Sequence, residues 1–234
     1  MVTEFKGHLD PVTSADRAVE RFLLESLRRL YPRDGFLGEE GAARRGSTGY
    51  LWVADPVDGT VNFSHGNPHY AVSLGLLKGG RAVAGAVAHG AGAERFTAER
   101  GSGAFRGGVR LRASSTAEPD LALAATDFPY DRAARLGRGA ARVRAFLAAF
   151  QVVRIQGSAS LDICRIAAGE LDLYAGDGTR PWDVAAAGLI LQEAGGTLTT
   201  WDGVPLDPMD PSRPLASNGP LHPFALKVMQ EIPC

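Results

Sequence analysis

No apolar run in these 234 residues reaches the length of about 20 that a spanning helix requires, so no membrane span is expected. The opening Met1-Val2-Thr3-Glu4-Phe5-Lys6 is polar and lacks the apolar core of a secretory signal. Cysteine is nearly absent. Cys164 and Cys234 stand far apart, with no CxxC spacing and no Cys/His cluster, which excludes a disulfide framework and fits a reducing cytosol. Neither sign of charge dominates: 25 basic and 26 acidic side chains leave a net charge of -1. With no basic run either, nucleic acid is not expected as the main ligand. Lysine is scarce (Lys6, Lys78 and Lys227 only) and side-chain amides are few, a signature that a GC-rich genome and a hot habitat share.

What is present is a chain that is 45% hydrophobic, enough for a substantial core in one large domain or two small ones. Val19, Phe22, Leu23, Leu27 and Leu30 recur at helical spacing, with Thr13 or Ser14 as N-cap and Pro32 beyond the end. Tyr50 to Ala54 reads as a short buried strand stopped by Pro56. His69 to Leu77 and Arg81 to His89, joined by Lys78-Gly79-Gly80, read as a hairpin. Short strands broken by glycines follow from Glu94 to Leu111. Beyond that the pattern alternates. Strands at Leu121 to Thr126, Val152 to Ile155, Leu171 to Tyr174 and Thr197 to Thr200 are interleaved with helices at Asp131 to Phe150, Ser158 to Ala168 and Pro181 to Ala194. A last helix runs from Leu221 to Glu231. Residues 1–118 therefore read as a helix plus mainly antiparallel sheet and 119–234 as an α/β half, the two sharing one unit. A layered sandwich of helices and sheets is expected.

Four acidic segments carry candidate chemistry. In Asp55-Pro56-Val57-Asp58-Gly59-Thr60, two carboxylates three residues apart leave a buried strand, and Gly59-Thr60 opens a turn whose N–H groups suit phosphate. Carboxylate oxygens are the hard ligands Mg²⁺ prefers, although an Asp-Pro turn with Asp-Gly is also ordinary turn chemistry. Glu39-Glu40, before a glycine-rich loop from Gly41 to Gly49, is either solvated surface or a further ligand beside a mobile flap. In Pro181-Trp182-Asp183, the acid suits the first turn of a helix by the dipole alone, while the small residues Ala185, Ala186, Ala187 and Gly188 allow close packing that aims it inward. Asp16 is a first-turn acid that gains interest if it reaches the hydroxyl of Thr60. His8, His65, His69, His89 and His222 form no metal-binding pair and read as structural or surface residues.

In this order, Val12-Thr13-Ser14-Ala15-Asp16, Gly38-Glu39-Glu40, Asp55 to Thr60 with Asn62-Phe63, Trp182-Asp183-Val184-Ala185-Ala186 and Glu193-Ala194-Gly195-Gly196 resemble the inositol monophosphatase family of lithium-sensitive, magnesium-dependent phosphatases. The resemblance runs from about Phe5 to the C-terminus. It implies an αβαβα sandwich, a homodimer, and hydrolysis of a small phosphorylated metabolite with two or three Mg²⁺ ions, Li⁺ being an inhibitor. Carried over by residue, it makes Glu39, Asp55, the carbonyl of Val57, Asp58 and Asp183 metal ligands. Thr60 and Asp16, with Glu39, activate water. Asp58, Gly59, Thr60, Gly157, Ser158, Ala159 and Asp183 meet the substrate.

Three departures stand out. Family members usually complete a first helix before the point where this chain begins, so that helix is absent or upstream. The Gly41 to Gly49 loop is short. Where inositol-specific members carry Tyr-Glu, this chain reads Tyr174-Ala175-Gly176-Asp177, which keeps fructose bisphosphate, histidinol phosphate, a nucleotide phosphate or NADP open as substrates. A regulatory binding protein that keeps the fold is the reading from another class.

Overall fold

The computed structural model describes residues 3–7, 10–90, 92, 94–128 and 132–232; Met1, Val2, His8, Asp131 and Cys234, all named above, lie outside them. An antiparallel pair, β1 (Thr3–Gly7) and β2 (Asp10–Thr13), leads into α1 (Ser14–Leu30). Thr13 caps the helix. Its hydroxyl accepts from the N–H of Ala15 at 3.2 Å, and Asp16 accepts from the N–H of Thr13 at 2.9 Å, closing a reciprocal capping box. The buried face of α1 differs from the apolar stripe expected. Phe22 and Leu30 are exposed, whereas Asp16 and Glu20 are buried beside Leu27. Both acids can occupy that face because backbone N–H groups satisfy them.

One sheet has eight strands: β3 (Gly35–Gly38), β4 (Ala43–Arg44), β5 (Tyr50–Asp58), β6 (Ala71–Lys78), β7 (Arg81–His89), β8 (Arg95–Glu99), β9 (Gly103–Arg106) and β10 (Val109–Arg110), in the order β10-β9-β8-β7-β6-β5-β3-β4. Only β3 and β5 run parallel; the other neighbours are antiparallel. The Gly79-Gly80 turn has φ of 56° and 78°, as a two-residue hairpin of this hand requires. A short helix, α2 (Thr60–Ser64), follows β5. The Gly41 to Gly49 loop is tied down: Ala43–Arg44 pairs with β3, and the Arg44 guanidinium donates to the carbonyls of Tyr31 and Asp34 at 3.1 and 2.7 Å.

The second sheet combines β11 (Leu123–Thr126), β12 (Val152–Arg154), β13 (Leu173–Ala175), β14 (Thr197–Thr200) and β15 (Pro214–Ser217) in the order β12-β11-β13-β15-β14. Its first three strands are parallel, and β15 runs antiparallel to both neighbours. The strand β15 is unexpected from sequence. Its four residues are all buried, so it has no alternation to read. The helices α3 (Arg132–Ala149), α4 (Ala159–Ala167), α5 (Pro181–Glu193) and α6 (His222–Gln230) complete the chain.

Burial fixes the layers. Leu23, Leu24 and Leu27 of α1 pack on Phe36, Trp52 and Ala54 at one face of the large sheet. Helices α4 and α5 fill the space between the sheets, and Phe146, Phe150, Ala225 and Val228 of α3 and its C-terminal edge and of α6 cover the outer face of the small sheet. The result is the αβαβα sandwich. Helix α5 lies very close to the large sheet: a Cβ on Gly75 would sit 2.9 Å from Ala185 Cβ, and one on Gly85 2.9 Å from Ala186 Cα. Small residues on both surfaces permit this approach, and it brings the first turn of α5 down onto the end of β5.

Candidate active site

In a regular strand, residues three apart face opposite sides, so Asp55 and Asp58 should diverge. They do not, because β5 carries a bulge. Asp55 pairs with Ser73 and Asp58 with Ala71, so one extra residue on β5 restores both carboxylates to one side. Pro56, which the sequence suggested would end the strand, sits inside this irregularity, where its missing N–H breaks no ladder bond. Asp55 Oδ1 accepts from the N–H of Val57 at 2.9 Å and fixes the kink.

The parallel partner supplies Glu39. Gly38 is in register with Ala54, and the N–H of Glu39 donates to the carbonyl of Ala54 at 3.2 Å, which sets Glu39 beside Asp55. From the other end of the chain, Asp183 enters in the first turn of α5, its Oδ2 accepting from the N–H of Arg180 at 2.7 Å. The outcome is convergence. Carboxylate oxygens of Asp55, Asp58 and Asp183 all lie within 4.8 Å of one another.

Asp58 is held from below by the second half of the molecule. Its Oδ2 accepts from Ser158 Oγ at 2.6 Å, from the N–H of Ser160 at 2.7 Å and from Ser160 Oγ. Gly59 has φ of 98°, and a Cβ there would meet the carbonyl oxygens of Gly157 and His69 at 3.0 and 3.1 Å, so no other residue fits without strain. Gly157 and Ala159 flank Ser158 in the segment that enters α4. Thr60, at the start of α2, places Oγ1 3.0 Å from the buried Val57 carbonyl and 3.2 Å from Asp16 Oδ1.

The electrostatics of the cluster are unfavourable for bare carboxylates. Burial pushes Asp55 well above the ordinary carboxylate range, and the charges of Glu39, Asp58 and Asp183 push it further. Asp183 is raised well above that range by burial and then by Asp58. Asp58 is raised by burial, against the opposing hydrogen bonds from Ser158 and Ser160. Buried acids that resist ionising together accept either protons or a cation. The oxygen-only donor set fits a hard divalent ion such as Mg²⁺.

Several contributors escaped sequence reasoning. Glu20 reaches from α1 to accept from the N–H groups of Glu40 and Ala42 at 2.8 and 3.0 Å, clamping the segment that carries Glu39. Asn62, present in the sequence motif but with no role assigned there, donates from Nδ2 to the carbonyls of His69 and Gln156, both at 2.7 Å, stitching α2 to the loop before α4. Ser160 lies one residue beyond the segment identified from sequence. Its position in the first turn of α4 was the available signal. Among the histidines, the described ones stay out of the carboxylate cluster. His69 Nε2 lies 3.6 Å from Asp162 Oδ1, and His222 is buried between Thr199 and Ser217.

The model of the inositol monophosphatase family matches residues 2–233. The inositol-1-monophosphatase of Rhizobium meliloti is 40% identical over 199 residues, covering 85% of this chain and 75% of that one. Nus factor SuhB of Pseudomonas aeruginosa is 40% identical over 203 residues, with the same 85% and 75% coverage. Among solved structures, the extragenic suppressor protein suhB of Bartonella henselae superimposes with a TM-score of 0.93 at 34% identity, covering 98% of this chain and 88% of that one. An IMPase/NADP phosphatase complexed with Mg²⁺ and phosphate gives a TM-score of 0.85 at 25% identity, covering 97% and 85%. The match spans both sheets and every motif segment that builds the carboxylate cluster: this chain belongs to the inositol monophosphatase family.

Proposed function

We propose that the protein hydrolyses a small phosphomonoester, an inositol monophosphate or a related sugar phosphate, with Mg²⁺ as cofactor. The observation that carries this reading is the meeting of Asp55, Asp58 and Asp183, from opposite ends of the chain, within 4.8 Å. Glu39, Asp55, the Val57 carbonyl, Asp58 and Asp183 would hold two or three ions. Bound there, Mg²⁺ would supply a more acidic water and charge neutralisation for the phosphoryl group and the leaving oxygen.

The chain's own groups then have defined tasks. Thr60 Oγ1 has one proton and two acceptors, Val57 O and Asp16 Oδ1, so its lone pairs are left to accept from water. Asp16 is locked by Thr13 and can hold that hydroxyl in place. The carboxylate of Glu39 would accept the second proton of the same water. The N–H groups of Gly59 and Thr60, with Gly157, Ser158 and Ala159, would cradle phosphate. No covalent phosphoenzyme is needed. By family resemblance we also assign inhibition by Li⁺, a homodimer and a cytoplasmic location.

Phosphate release from a panel of inositol 1-phosphate, fructose 1,6-bisphosphate and NADP, assayed with and without Mg²⁺, tests the reading. Magnesium-dependent release from at least one is expected, and none from any at saturating Mg²⁺ overturns it. The 40% identity to Nus factor SuhB supports a second reading, a Nus-factor role alongside or in place of catalysis. Co-purification of transcription proteins with an Asp58→Asn variant would favour it.

A further inference from the structure

The three parallel strands β12, β11 and β13 release their C-terminal ends along one edge of the small sheet, where ligands of open α/β sheets bind. The segment after β12 provides Ser158 and Ser160, which hold Asp58. The segment after β13 leads to Asp183. Strand β11 lies between them, and the residue it releases at that edge is Asp127. No task in the hydrolytic machinery above uses it.

Asp127 is held firmly. Oδ1 accepts from Arg142 Nη2 at 3.1 Å and from the N–H of Asp177 at 3.3 Å, and Oδ2 accepts from the Tyr174 hydroxyl at 2.5 Å. Arg142 and Tyr174 are fully buried, yet the Asp127 side chain keeps 23% of its surface open. Its charge is also felt by the Asp183 carboxyl. The turn after β13 can bring no side chain to the same spot. A Cβ on Gly176 would stand 2.6 Å from the Tyr174 hydroxyl, 2.9 Å from Thr179 Cγ2 and 3.2 Å from Asp127 Oδ2.

We propose that Asp127 is the specificity residue for the alcohol half of the ester, accepting a hydrogen bond from a leaving-group hydroxyl and so selecting hydroxyl-bearing polyol or sugar monophosphates. The proposal rests on the phosphatase reading. The bland alternative makes Asp127 only the counter-charge of Arg142. Together with acceptance from the Tyr174 hydroxyl, that role accounts for the bonds Asp127 makes, but not for the 23% of its side chain left open at the sheet edge where the segments bearing Ser158, Ser160 and Asp183 emerge. A carboxylate fixed in advance and partly open loses little on binding a hydroxyl, and removing it should penalise only substrates that have one.

The test compares kcat and KM of Asp127→Asn for inositol 1-phosphate and for phenyl phosphate, whose leaving group has no further hydroxyl. Loss of kcat/KM of about tenfold on the first, carried by KM, with phenyl phosphate within about twofold, is expected for one charge-assisted hydrogen bond. Asp127→Glu keeps the charge opposite Arg142 while displacing the carboxylate, so it serves if the asparagine variant unfolds, and the same asymmetry is expected. Equal loss on both esters, or no loss on either, overturns the proposal. If inositol 1-phosphate is not turned over, fructose 1,6-bisphosphate takes its place in the comparison; if the unaltered protein hydrolyses no ester of the panel at saturating Mg²⁺, the phosphatase reading fails and the subsite falls with it.

Discussion

The Thr60 hydroxyl stands 3.2 Å from Asp16 Oδ1, joining the first turns of two helices whose residues are 44 positions apart. Asp16 is fully buried and already accepts from the Thr13 N–H, so it both caps α1 and orients Thr60. The two tasks separate on mutation. Thr60→Ala should lower kcat on the order of a hundredfold, leave KM for substrate nearly unchanged, and be largely restored in Thr60→Ser. Asp16→Ala should lower kcat similarly and also cost about 1 kcal/mol of stability through the lost cap. Steady-state kinetics and thermal melts on the three proteins check both. Full activity in Thr60→Ala would remove this pair from the mechanism.

Asp58 concentrates three donors, from Ser158 and Ser160, on one carboxylate oxygen, which leaves Oδ1 for other partners. Replacing it by Asn keeps the shape and removes the charge. Asp58→Asn and Asp183→Asn should each lower kcat by on the order of a hundredfold or more, the scale on which preorganised charge stabilises a transition state. Turnover near normal at saturating Mg²⁺ in either purified variant would strike that residue from the ligand set.

How the site was legible differs from residue to residue. Residue types in Asp55 to Thr60 and at Asp183 announce hard-cation chemistry, and the Gly79-Gly80 hairpin and the cap at Thr13 rest on local rules that tertiary packing did not override. By local rules Pro56 marks a stop, whereas the strand continues through a bulge there, because a register shift depends on what β6 pairs with and leaves no local mark. The same is true of Glu20, which looks like an ordinary exposed helix acid until the backbone it satisfies is in place. Phe22 shares the helical spacing of Leu23 and Leu27 yet is exposed for the reverse reason: spacing reveals a stripe but not which side the sheet will cover.

Glu20 offers a test of that hidden support. It is 5% exposed, accepts from two N–H groups in the Glu40–Ala42 turn, and occupies the space a side chain at Gly38 would need, its Oε2 lying 2.0 Å from that Cβ position. Glu20→Ala should loosen the segment bearing Glu39 and raise the Mg²⁺ concentration for half-maximal activity on the order of tenfold, as expected when an outer support of a metal ligand is lost. The kcat at saturating Mg²⁺ should recover most of its value. A Mg²⁺ titration of activity checks this, and an unchanged midpoint would mean that Glu39 is held by other contacts.

The carboxylate cluster also predicts how pH and Mg²⁺ trade places. Asp55 and Asp183 have folded-state pKa values above those of the unfolded chain, chiefly through burial, and Asp162 is pushed up to about 6 by burial as well. A raised carboxyl pKa means that the folded state keeps protons the unfolded state has released. These groups therefore cost no stability below the ordinary carboxylate value of about 4, and their penalty grows as pH rises towards each folded-state value. For Asp162 that window runs from about 4 to about 6. As pH rises through the raised folded-state values of Asp55 and Asp183, the cluster becomes charged and self-repelling, and a divalent cation relieves what protons no longer can. The rise in Tm on adding Mg²⁺ to EDTA-treated protein should thus be small near about pH 5 and grow steadily towards about pH 8, since ligand binding to the folded state adds stability as the logarithm of one plus the ratio of free Mg²⁺ to its Kd, and that Kd falls as the carboxyls lose their protons. Scanning calorimetry across that range reads the difference directly, and comparing each pH with and without Mg²⁺ cancels titrations elsewhere in the chain. A Mg²⁺ effect that is flat or shrinks with rising pH would show that protons and cation do not compete for these oxygens.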